Sequence, residues 1–399
     1  MDLDLIVAGG GPAGMMTGLL FARAGCSVQV FEKHQDFLHD FRGDTVHPST
    51  MEILNQLGML DRLLECPHHK LQKAQFRLAG GLWTIGDLSR LRTVAPFATI
   101  MPQWDFLDFL RREAESFPGF RLAMGSPVES YIEENGRIAG VRLADGTARR
   151  ARLVMAADGR HSFVRKVLPL EELAVPIDIF WFNVPKNEPG GDALRGSIER
   201  ERVLVMIDRG DHWQCALLIS KGTADELKAG GIEPIKQAIR EAAPELDVSK
   251  LRNVDDLHLL KVTLDRLRHW SKPGLLAIGD AAHAMSPIGG IGISLAIQDA
   301  VAAANALAGP LSRGASVDRL LHRVEKRRRL PTQVVQFVQR VAQDRIFAPV
   351  LKPGKPIRDV HWVVRLIDRT PLLQDIPAHF VGLGVRRERV RSPAAPIHA

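Results

Sequence analysis

The chain has 399 residues, of which 25% are charged and 45% hydrophobic, and its mean hydropathy is −0.04. This composition excludes a disordered, fibrous or membrane-embedded protein, and the length is sufficient for two or three domains. Lys and Arg exceed Asp and Glu by seven overall, but sixteen of the basic residues and only six of the acidic ones follow residue 320. Because the rest of the chain is nearly neutral, its charge does not indicate a nucleic-acid-binding protein.

Cysteine usage and the start of the chain favour a cytoplasmic location. Cys26, Cys66 and Cys215 are far apart, and no CxxC pair or Cys/His cluster accompanies them, so we expect neither a disulfide framework nor a metal site. The opening Met-Asp-Leu-Asp carries two acids where a secretory signal would carry positive charge. The uncharged run over residues 5–22 contains five glycines and Pro12, which predict a strand, a turn and a helix rather than a membrane span.

The first predicted unit is a strand, a glycine-rich turn and a helix. Apolar runs predict strands over 3–8 and 27–32, with a helix over 12–24 between them. The turn is the GxGxxG sequence Gly9-Gly10-Gly11-Pro12-Ala13-Gly14, whose glycines let the backbone approach a pyrophosphate at the helix N-terminus. Glu32, at the end of the second strand, can accept the ribose hydroxyls of an adenosine and disfavours a 2′-phosphate. We therefore expect a bound dinucleotide other than NADP, the alternative being an ordinary glycine-rich turn.

The middle of the chain becomes rich in strands. A helix is predicted over 104–115, and the turns at 135–136 and 145–146 predict hairpins within 128–155. An apolar strand then ends at Asp158-Gly159, which alone is more typical of a simple strand–turn–helix than of a binding site. Beyond residue 176 we predict strands over 177–182, 203–208 and 213–219 and a helix over 235–243.

A second glycine-rich site follows the buried strand that begins at Leu275. This strand ends at Gly279-Asp280, and the Asp280 carboxylate can bind a polyol hydroxyl. The run Pro287-Ile288-Gly289-Gly290-Ile291-Gly292 then precedes a long helix predicted over 293–307. The free N–H groups at the start of that helix present partial positive charge to a bound group.

In this order, the three motifs resemble the single-component (class A) FAD-dependent monooxygenases, the flavoprotein aromatic hydroxylases of the p-hydroxybenzoate hydroxylase type. The resemblance covers nearly the whole chain and implies an α/β fold. It comprises a Rossmann-like FAD-binding domain of the glutathione-reductase type, an inserted β-sheet substrate domain and a C-terminal helical region. The implied segments are 1–70, 101–175 and 269–325 for FAD binding, 71–100 and 176–268 for the substrate domain, and 326–399 for the helical region.

The resemblance also implies an activity, that of an NAD(P)H-dependent oxidoreductase. Such an enzyme hydroxylates a small aromatic or other apolar planar substrate through a flavin C4a-hydroperoxide. FAD would be bound non-covalently, and NAD(P)H and dioxygen would be co-substrates. Three alternatives are a dehydrogenase or reductase of the same fold without oxygen transfer, a halogenase and a flavin-loaded binding protein without turnover. The halogenase is disfavoured because the segment that begins at Trp181 lacks the second Trp and the spacing of the Trp-x-Trp-x-Ile-Pro signature of flavin halogenases.

Carried over residue by residue, the resemblance gives Asp280 the ribitol of FAD, Arg42 its phosphates and Gln103 a position near the flavin. The start of the helix at 290–293 would stabilise the anionic reduced flavin. The complete set of implied FAD-binding residues is Gly9, Gly11, Pro12, Ala13, Gly14, Glu32, Lys33, Arg42, Gly43, Gln103, Val128, Asp158, Gly159, Gly279, Asp280, Pro287, Gly290, Ile291, Gly292 and Ile293.

The sequence departs from the family pattern beside the flavin. Ile291 and Ser294 replace the usual Gln and Asn of the third motif, and the single tyrosine, Tyr131, cannot provide the tyrosine relay that deprotonates a phenol in relatives. We therefore interpret His47 as a candidate acid–base residue, the alternative being a surface histidine before a helix. We expect His283 to be structural.

Two further predictions concern the substrate and the basic tail. Trp181 and Trp213 would line an apolar substrate site, although strand aromatics more often belong to a core. The basic run at 326–329 predicts a solvated helix face, the alternative being contact with an anionic membrane or partner.

Overall fold

The structure is a computed structural model that describes residues 3–38, 45–186, 191, 193–199, 201–352 and 360–395. Its strands, in chain order, are β1 Leu3–Ala8, β2 Val28–Phe31, β3 Thr45–Val46, β4 His69–Leu71, β5 Lys73–Leu78, β6 Gly81–Asp87, β7 Ala98–Ile100, β8 Phe120–Ala123, β9 Val128–Glu134, β10 Arg137–Leu143, β11 Ala148–Ala156, β12 Leu170–Leu173, β13 Ile177–Pro185, β14 Ala193–Glu199, β15 Arg202–Asp208, β16 His212–Ser220, β17 His258–Leu260, β18 Leu264–Leu267, β19 Ser271–Lys272, β20 Leu275–Ala277 and β21 His283–Ala284. Its helices are α1 Pro12–Arg23, α2 Pro48–Gln56, α3 Leu60–Glu65, α4 Gln103–Glu115, α5 Val164–Val167, α6 Ala224–Ala229, α7 Ile232–Ala242, α8 Gly292–Ser312, α9 Leu321–Ala342, α10 Ala348–Val350, α11 Trp362–Arg369 and α12 Pro371–Gly382.

The first sheet brings strands from distant parts of the chain to one edge. Its order is β19-β20-β11-β1-β2-β8, and the neighbours from β20 to β8 are parallel. The register places Ala8 beside both Phe31 and Ala156, and Ala156 beside Ala277. Because these strands share a direction, the loops that follow β1, β11 and β20 emerge at the same edge. The predicted α/β fold class is confirmed.

Helices α1 and α4 pack on this sheet and α8 packs on α1, all within one apolar core, and this burial explains the continuous apolar strands. Leu5, Ile6 and Val7 of β1 are all fully buried, as expected for a parallel strand covered on both faces. Helix α8 was predicted to end at residue 307 but continues to Ser312, with Pro310 in its last turn. By length and composition the 288–312 stretch could cross a membrane, but 83% of its most apolar window is buried within the protein. Burial accounts for this apolar composition.

The second sheet has seven strands in the order β17-β13-β16-β15-β14-β5-β6. Strands β5 and β6 come from an earlier part of the chain, and β5 joins β14 in parallel. One face of the sheet packs against α7 through Phe180, Leu204 and Ile239. The other face carries an apolar layer that contacts Ile288, in the loop before α8, and Phe347, after α9. The division of the chain into FAD-binding and substrate domains stays a prediction.

The C-terminal part of the chain is helical, as predicted, and then returns to the first sheet. Helix α12 packs against β6. Residues 383–395, which we name the C-terminal strap, contact α1, α2 and α8 through hydrogen bonds such as the one from the Ala395 N–H to the Arg23 carbonyl oxygen (2.8 Å).

Candidate active site

The first glycine motif packs β1 tightly against α1. A Cβ on Gly14 would lie 1.9 Å from the carbonyl oxygen of Gly9, and one on Gly9 would lie 2.5 Å from that of Ala157. Gly9 also has a φ of +102°, which side chains disfavour. Gly11 precedes Pro12 and Ala13 in the first turn of α1, and a Cβ added to it would have no described atom within 4 Å. The motif therefore leaves space in front of the helix N-terminus, where a pyrophosphate would bind.

Glu32 follows β2 beside this motif and is only 8% exposed. Its Oε2 accepts a hydrogen bond from the Gly10 N–H (2.7 Å), and its Oε1 accepts one from the His34 N–H (3.1 Å). These contacts hold the carboxylate at the mouth of the glycine turn, and each oxygen retains a second lone pair for a ribose hydroxyl. Lys33, next in the chain, is exposed.

The second motif lies directly against the first. A Cβ on Gly9 would lie 2.6 Å from the Cα of Asp158, which follows β11. The Asp158 Oδ1 is buried and has no hydrogen-bond partner among the described residues. Burial raises the pKa of Asp158, although Ser162 and the charge of Lys33 oppose this shift. A buried acceptor beside the glycine turn fits a hydrogen-bond donor of a bound dinucleotide.

The third motif completes the edge. A Cβ on Gly279 would lie 3.1 Å from the Cβ of Ala13, so the loop after β20 contacts the first turn of α1. The Asp280 carboxylate lies 3.4 Å from the Arg160 guanidinium, and its backbone carbonyl accepts a hydrogen bond from Arg165 (2.6 Å). The structure thus brings together all three motifs that the sequence identified.

Four other predicted FAD-binding residues are less closely defined. Gln103 begins α4 and Val128 begins β9, and both are half-buried. Arg42 and Gly43 lie outside the described residues. The roles of these four residues stay predictions.

The loop before α8 turns through two glycines and is held by His47. Gly289 and Gly290 have φ values of +80° and +62°, and His47 Nε2 lies 3.0 Å from the Gly289 carbonyl oxygen. Ile291, at the position of the usual Gln, packs with Met285 and Val335 in an apolar cluster. Three other predicted residues flank these glycines. Pro287 precedes them, and Gly292 and Ile293 begin α8.

His47 is buried and neutral rather than a surface residue. It is 3% exposed, and burial lowers its pKa to about 4. Because the Gly289 oxygen can only accept, Nε2 carries the proton and Nδ1 is unprotonated. His47 therefore ties the residues before α2 to the glycine turn, and the surface alternative is wrong. This geometry favours a positioning role over proton transfer to a substrate near neutral pH.

Trp181 and Trp213 lie on opposite faces of the second sheet. Trp181 belongs to the layer that contacts Ile288, and its Nε1 has no hydrogen-bond partner within the described part of the chain. Trp213 packs among the core residues on the α7 side, with Lys186 Nζ 5.0 Å from its ring centroid. The expectation that Trp213 lines the same site as Trp181 is therefore wrong. The cause is register: Trp213 pairs with Val184, three residues and hence one face away from Trp181.

The basic run on α9 is only partly solvated, because Lys326 is exposed whereas the three arginines that follow it are paired. Arg328 is 0% exposed and pairs with Asp299 (2.9 Å), while Arg327 pairs with Glu388 (2.5 Å) and Arg329 with Glu325. Sequence analysis missed Asp299, although an acid within the apolar helix α8 was a visible signal. His283, expected to be structural, is buried with its Nε2 2.6 Å from the same carboxylate. The described residues contain no cluster of three or more His, Cys, Asp or Glu suited to a metal.

Comparison with known proteins identifies the family. A family model described as an FAD binding domain matches residues 2–338. The 6-methylpretetramide 4-monooxygenase of Streptomyces rimosus is 32% identical and aligns over 98% of this chain and 94% of its own. The chain belongs to the FAD-dependent monooxygenases. Its predicted membership of the flavoprotein aromatic hydroxylases, and with it an oxidoreductase activity, is confirmed.

Two further similarities agree with this family. The para-nitrophenol 4-monooxygenase of Pseudomonas sp. strain WBC-3 is 25% identical, over 86% of this chain and 90% of its own. The crystal structure of PqsL from Pseudomonas aeruginosa superposes with a TM-score of 0.76 at 20% identity, covering 88% of this chain and 99% of PqsL. The latter likeness shows the shared fold. The residues around Gly11 and Asp158 fit FAD, because they offer space at a helix N-terminus and an unpaired buried acceptor.

Exchanging single glycines of the first motif should separate folding from cofactor binding. Gly11→Ala places a methyl group in open space and should leave the Tm unchanged while accelerating FAD release about tenfold, because the methyl group narrows the mouth of the site. Gly14→Ala meets backbone at 1.9 Å and should destabilise the fold by more than about 3 kcal/mol. Thermal unfolding and recovery of flavin fluorescence measure both. Equal loss of Tm in the two variants would contradict this prediction.

The buried His47 should make stability depend on acid pH. Its pKa is about 4 in the folded chain and about 6.5 when unfolded, so only the unfolded state gains a proton as pH falls between these values. Stability should therefore fall by up to about 3 kcal/mol from pH 6.5 to 4 on account of this group. His47→Asn should flatten that decline in Tm measured at pH 7 and pH 5. His161→Asn, at an exposed histidine, is the control that should follow the unmodified protein.

Proposed function

We propose that this monooxygenase uses NAD(P)H and dioxygen to hydroxylate a planar aromatic substrate bound between the second sheet and the glycine turn at 288–290. The observation that carries the proposal is the apolar layer on that sheet, which contacts Ile288 of the turn. The same turn leads directly into α8, whose first residues are proposed to contact the flavin. A substrate in this layer would therefore lie against the flavin-binding loop.

The chain's own residues would divide the binding of FAD among them. The N–H groups before α1 would hold the pyrophosphate, Glu32 a ribose, and Asp280 the ribityl chain. When bound, reduced FAD would supply the two electrons with which dioxygen gives one oxygen atom to an electron-rich carbon, the other atom leaving as water. The N-terminus of α8 would stabilise negative charge on the reduced ring, because its N–H groups are unpaired within the helix.

The apolar layer would also exclude water from the oxygen-transfer step. Val205 and Trp181 of the sheet, Ile288 of the turn and Phe347 after α9 all belong to it. An apolar surround limits side reactions with water, which would otherwise release hydrogen peroxide. The indole N–H of Trp181 lies on this face without a hydrogen-bond partner among the described residues and would donate to an oxygen atom of the substrate.

The relatives support an aromatic substrate. One is named for 6-methylpretetramide and another for para-nitrophenol, and both are named as monooxygenases. We therefore favour hydroxylation over the dehydrogenase alternative.

The three cysteines are free in the structure, which agrees with the proposed cytoplasmic location.

Isotope labelling tests the reaction. The holoenzyme should be reduced anaerobically by NADH or NADPH and then exposed to isotopically heavy dioxygen with a planar phenol such as para-nitrophenol. Incorporation of one heavy atom into product is the expected result. Product that lacks the label would support the dehydrogenase, and a flavin that neither nicotinamide reduces would contradict NAD(P)H dependence.

Two tryptophan variants test the position of the substrate. Trp181→Phe removes the unpaired N–H and should raise KM about fivefold, the loss of a single hydrogen bond, and increase hydrogen peroxide release. Trp213→Phe is the matched control on the opposite face and should alter the Tm but not the KM. If Trp213→Phe raised KM as much as Trp181→Phe, the proposed face would be wrong.

A further inference from the structure

A group of ionisable side chains is buried beneath the loop that carries Asp280. Asp299 and Arg328 are 0% exposed, His283 1% and Glu388 6%. They come from α8, α9, β21 and the C-terminal strap, respectively. Charges so deeply buried are costly unless each is paired, so their arrangement is expected to be specific.

Asp299 is the centre of this group and holds the loop directly. Its Oδ2 accepts a hydrogen bond from the Gly279 N–H (3.1 Å) and lies 2.6 Å from His283 Nε2. Its Oδ1 accepts a hydrogen bond from Arg328 Nε (2.9 Å). Burial alone would raise the pKa of Asp299, but His283 and the Arg328 guanidinium outweigh it and hold the pKa below its usual value. Asp299 is therefore an anion bonded to the residue immediately before Asp280.

Arg328 links Asp299 to the strap. Its Nη1 lies 3.6 Å from Glu388 Oε1, close enough for an ion pair but too far for a hydrogen bond. Neither Nη1 nor Nη2 has a hydrogen-bond partner in the described structure. The buried guanidinium thus depends on two carboxylates, Asp299 and Glu388, to balance its charge.

The strap reaches this position through contacts outside the charged group. The Arg387 guanidinium pairs with Glu52 of α2 (2.9 Å), and the Arg391 N–H donates to Asn305 Oδ1 of α8 (2.7 Å). Glu388 itself donates its backbone N–H to Gln298, the neighbour of Asp299 (3.3 Å). Docking of the strap therefore delivers the second carboxylate to Arg328.

We propose that Asp299 is a positioning residue of the FAD site, and that Arg328 and Glu388 couple retention of FAD to docking of the C-terminal strap. Gly279 has a φ of +56° and directs the chain into Asp280, so the bond from its N–H to Asp299 orients the carboxylate proposed to hold the ribityl chain. Without Glu388, Arg328 would attract the Asp299 carboxylate more strongly and weaken its hydrogen bond to the Gly279 N–H. The inference rests on the proposed role of Asp280, within a family shown to bind FAD.

FAD release from the full-length holoenzyme tests this coupling. Asp299→Asn should accelerate release at least about tenfold, the loss expected for a charged hydrogen bond, and Glu388→Gln should accelerate it by a smaller factor. The matched control is Arg152→Gln. Its guanidinium pairs with the Asp4 carboxylate and donates to the carbonyl oxygen of Leu311, at the far end of α8. The control should lower the Tm without a comparable change in FAD release. Release that follows the loss of Tm alone in every variant would overturn the proposal.

Three further variants keep the test decisive if Asp299→Asn does not fold. Asn305→Ala loosens the strap without touching a buried charge and should also accelerate FAD release. Arg328→Lys keeps the positive charge and should retain FAD better than Arg328→Gln. Faster release from Asn305→Ala together with rescue by lysine supports the coupling, whereas unchanged release from both Asn305→Ala and Glu388→Gln contradicts it. Labelling of product by heavy dioxygen in the unmodified enzyme tests the proposed function separately.

Discussion

The parallel pairing of β1 with β11, and of β11 with β20, places the loops that follow three distant segments at one edge of a sheet. Packing then brings the loops into contact: Gly9 against Asp158, and Gly279 against Ala13. These approaches are so close that no side chain larger than hydrogen fits at Gly9 or Gly14. The turn at 9–14, the unpaired Asp158 oxygen and the Asp280 loop therefore lie together.

The structure distributes charge in a way that overall composition conceals. The excess of basic residues near the C-terminus suggested a solvated surface, yet Arg327, Arg328 and Arg329 pair with acids, one of them wholly within the core. A buried arginine is strongly destabilising unless an anion balances its charge, so ion pairs as well as apolar contacts join α9 to α8 and to the strap. In the proposed coupling, the C-terminal strap thereby supports the loop that carries Asp280.

A single histidine illustrates how burial changes chemistry. The sequence places His47 before a helix near the flavin and allows an acid–base role, but its depth lowers its pKa and its Nε2 is engaged by Gly289. His47 holds the turn at 288–290 in place, and Ile288 of this turn contacts the apolar layer of the second sheet. We therefore expect the substrate to contact the face of the second sheet that carries Trp181 and contacts Ile288, not the opposite face that carries Trp213.

The sequence by itself determined the α/β class, the order of the three motifs and the family, because these depend on local spacing: apolar runs, GxGxxG before a helix, and an acid at a strand end. The helices and strands for which the sequence predicted bounds lie within a few residues of the observed ones, apart from the end of α8. Tertiary structure alone decided which face of the second sheet carries each tryptophan, since that depends on strand register. It also decided that Arg328 is buried against Asp299 and that Glu388 reaches it from sixty residues away. Such pairings join segments remote in sequence, and no local pattern encodes them.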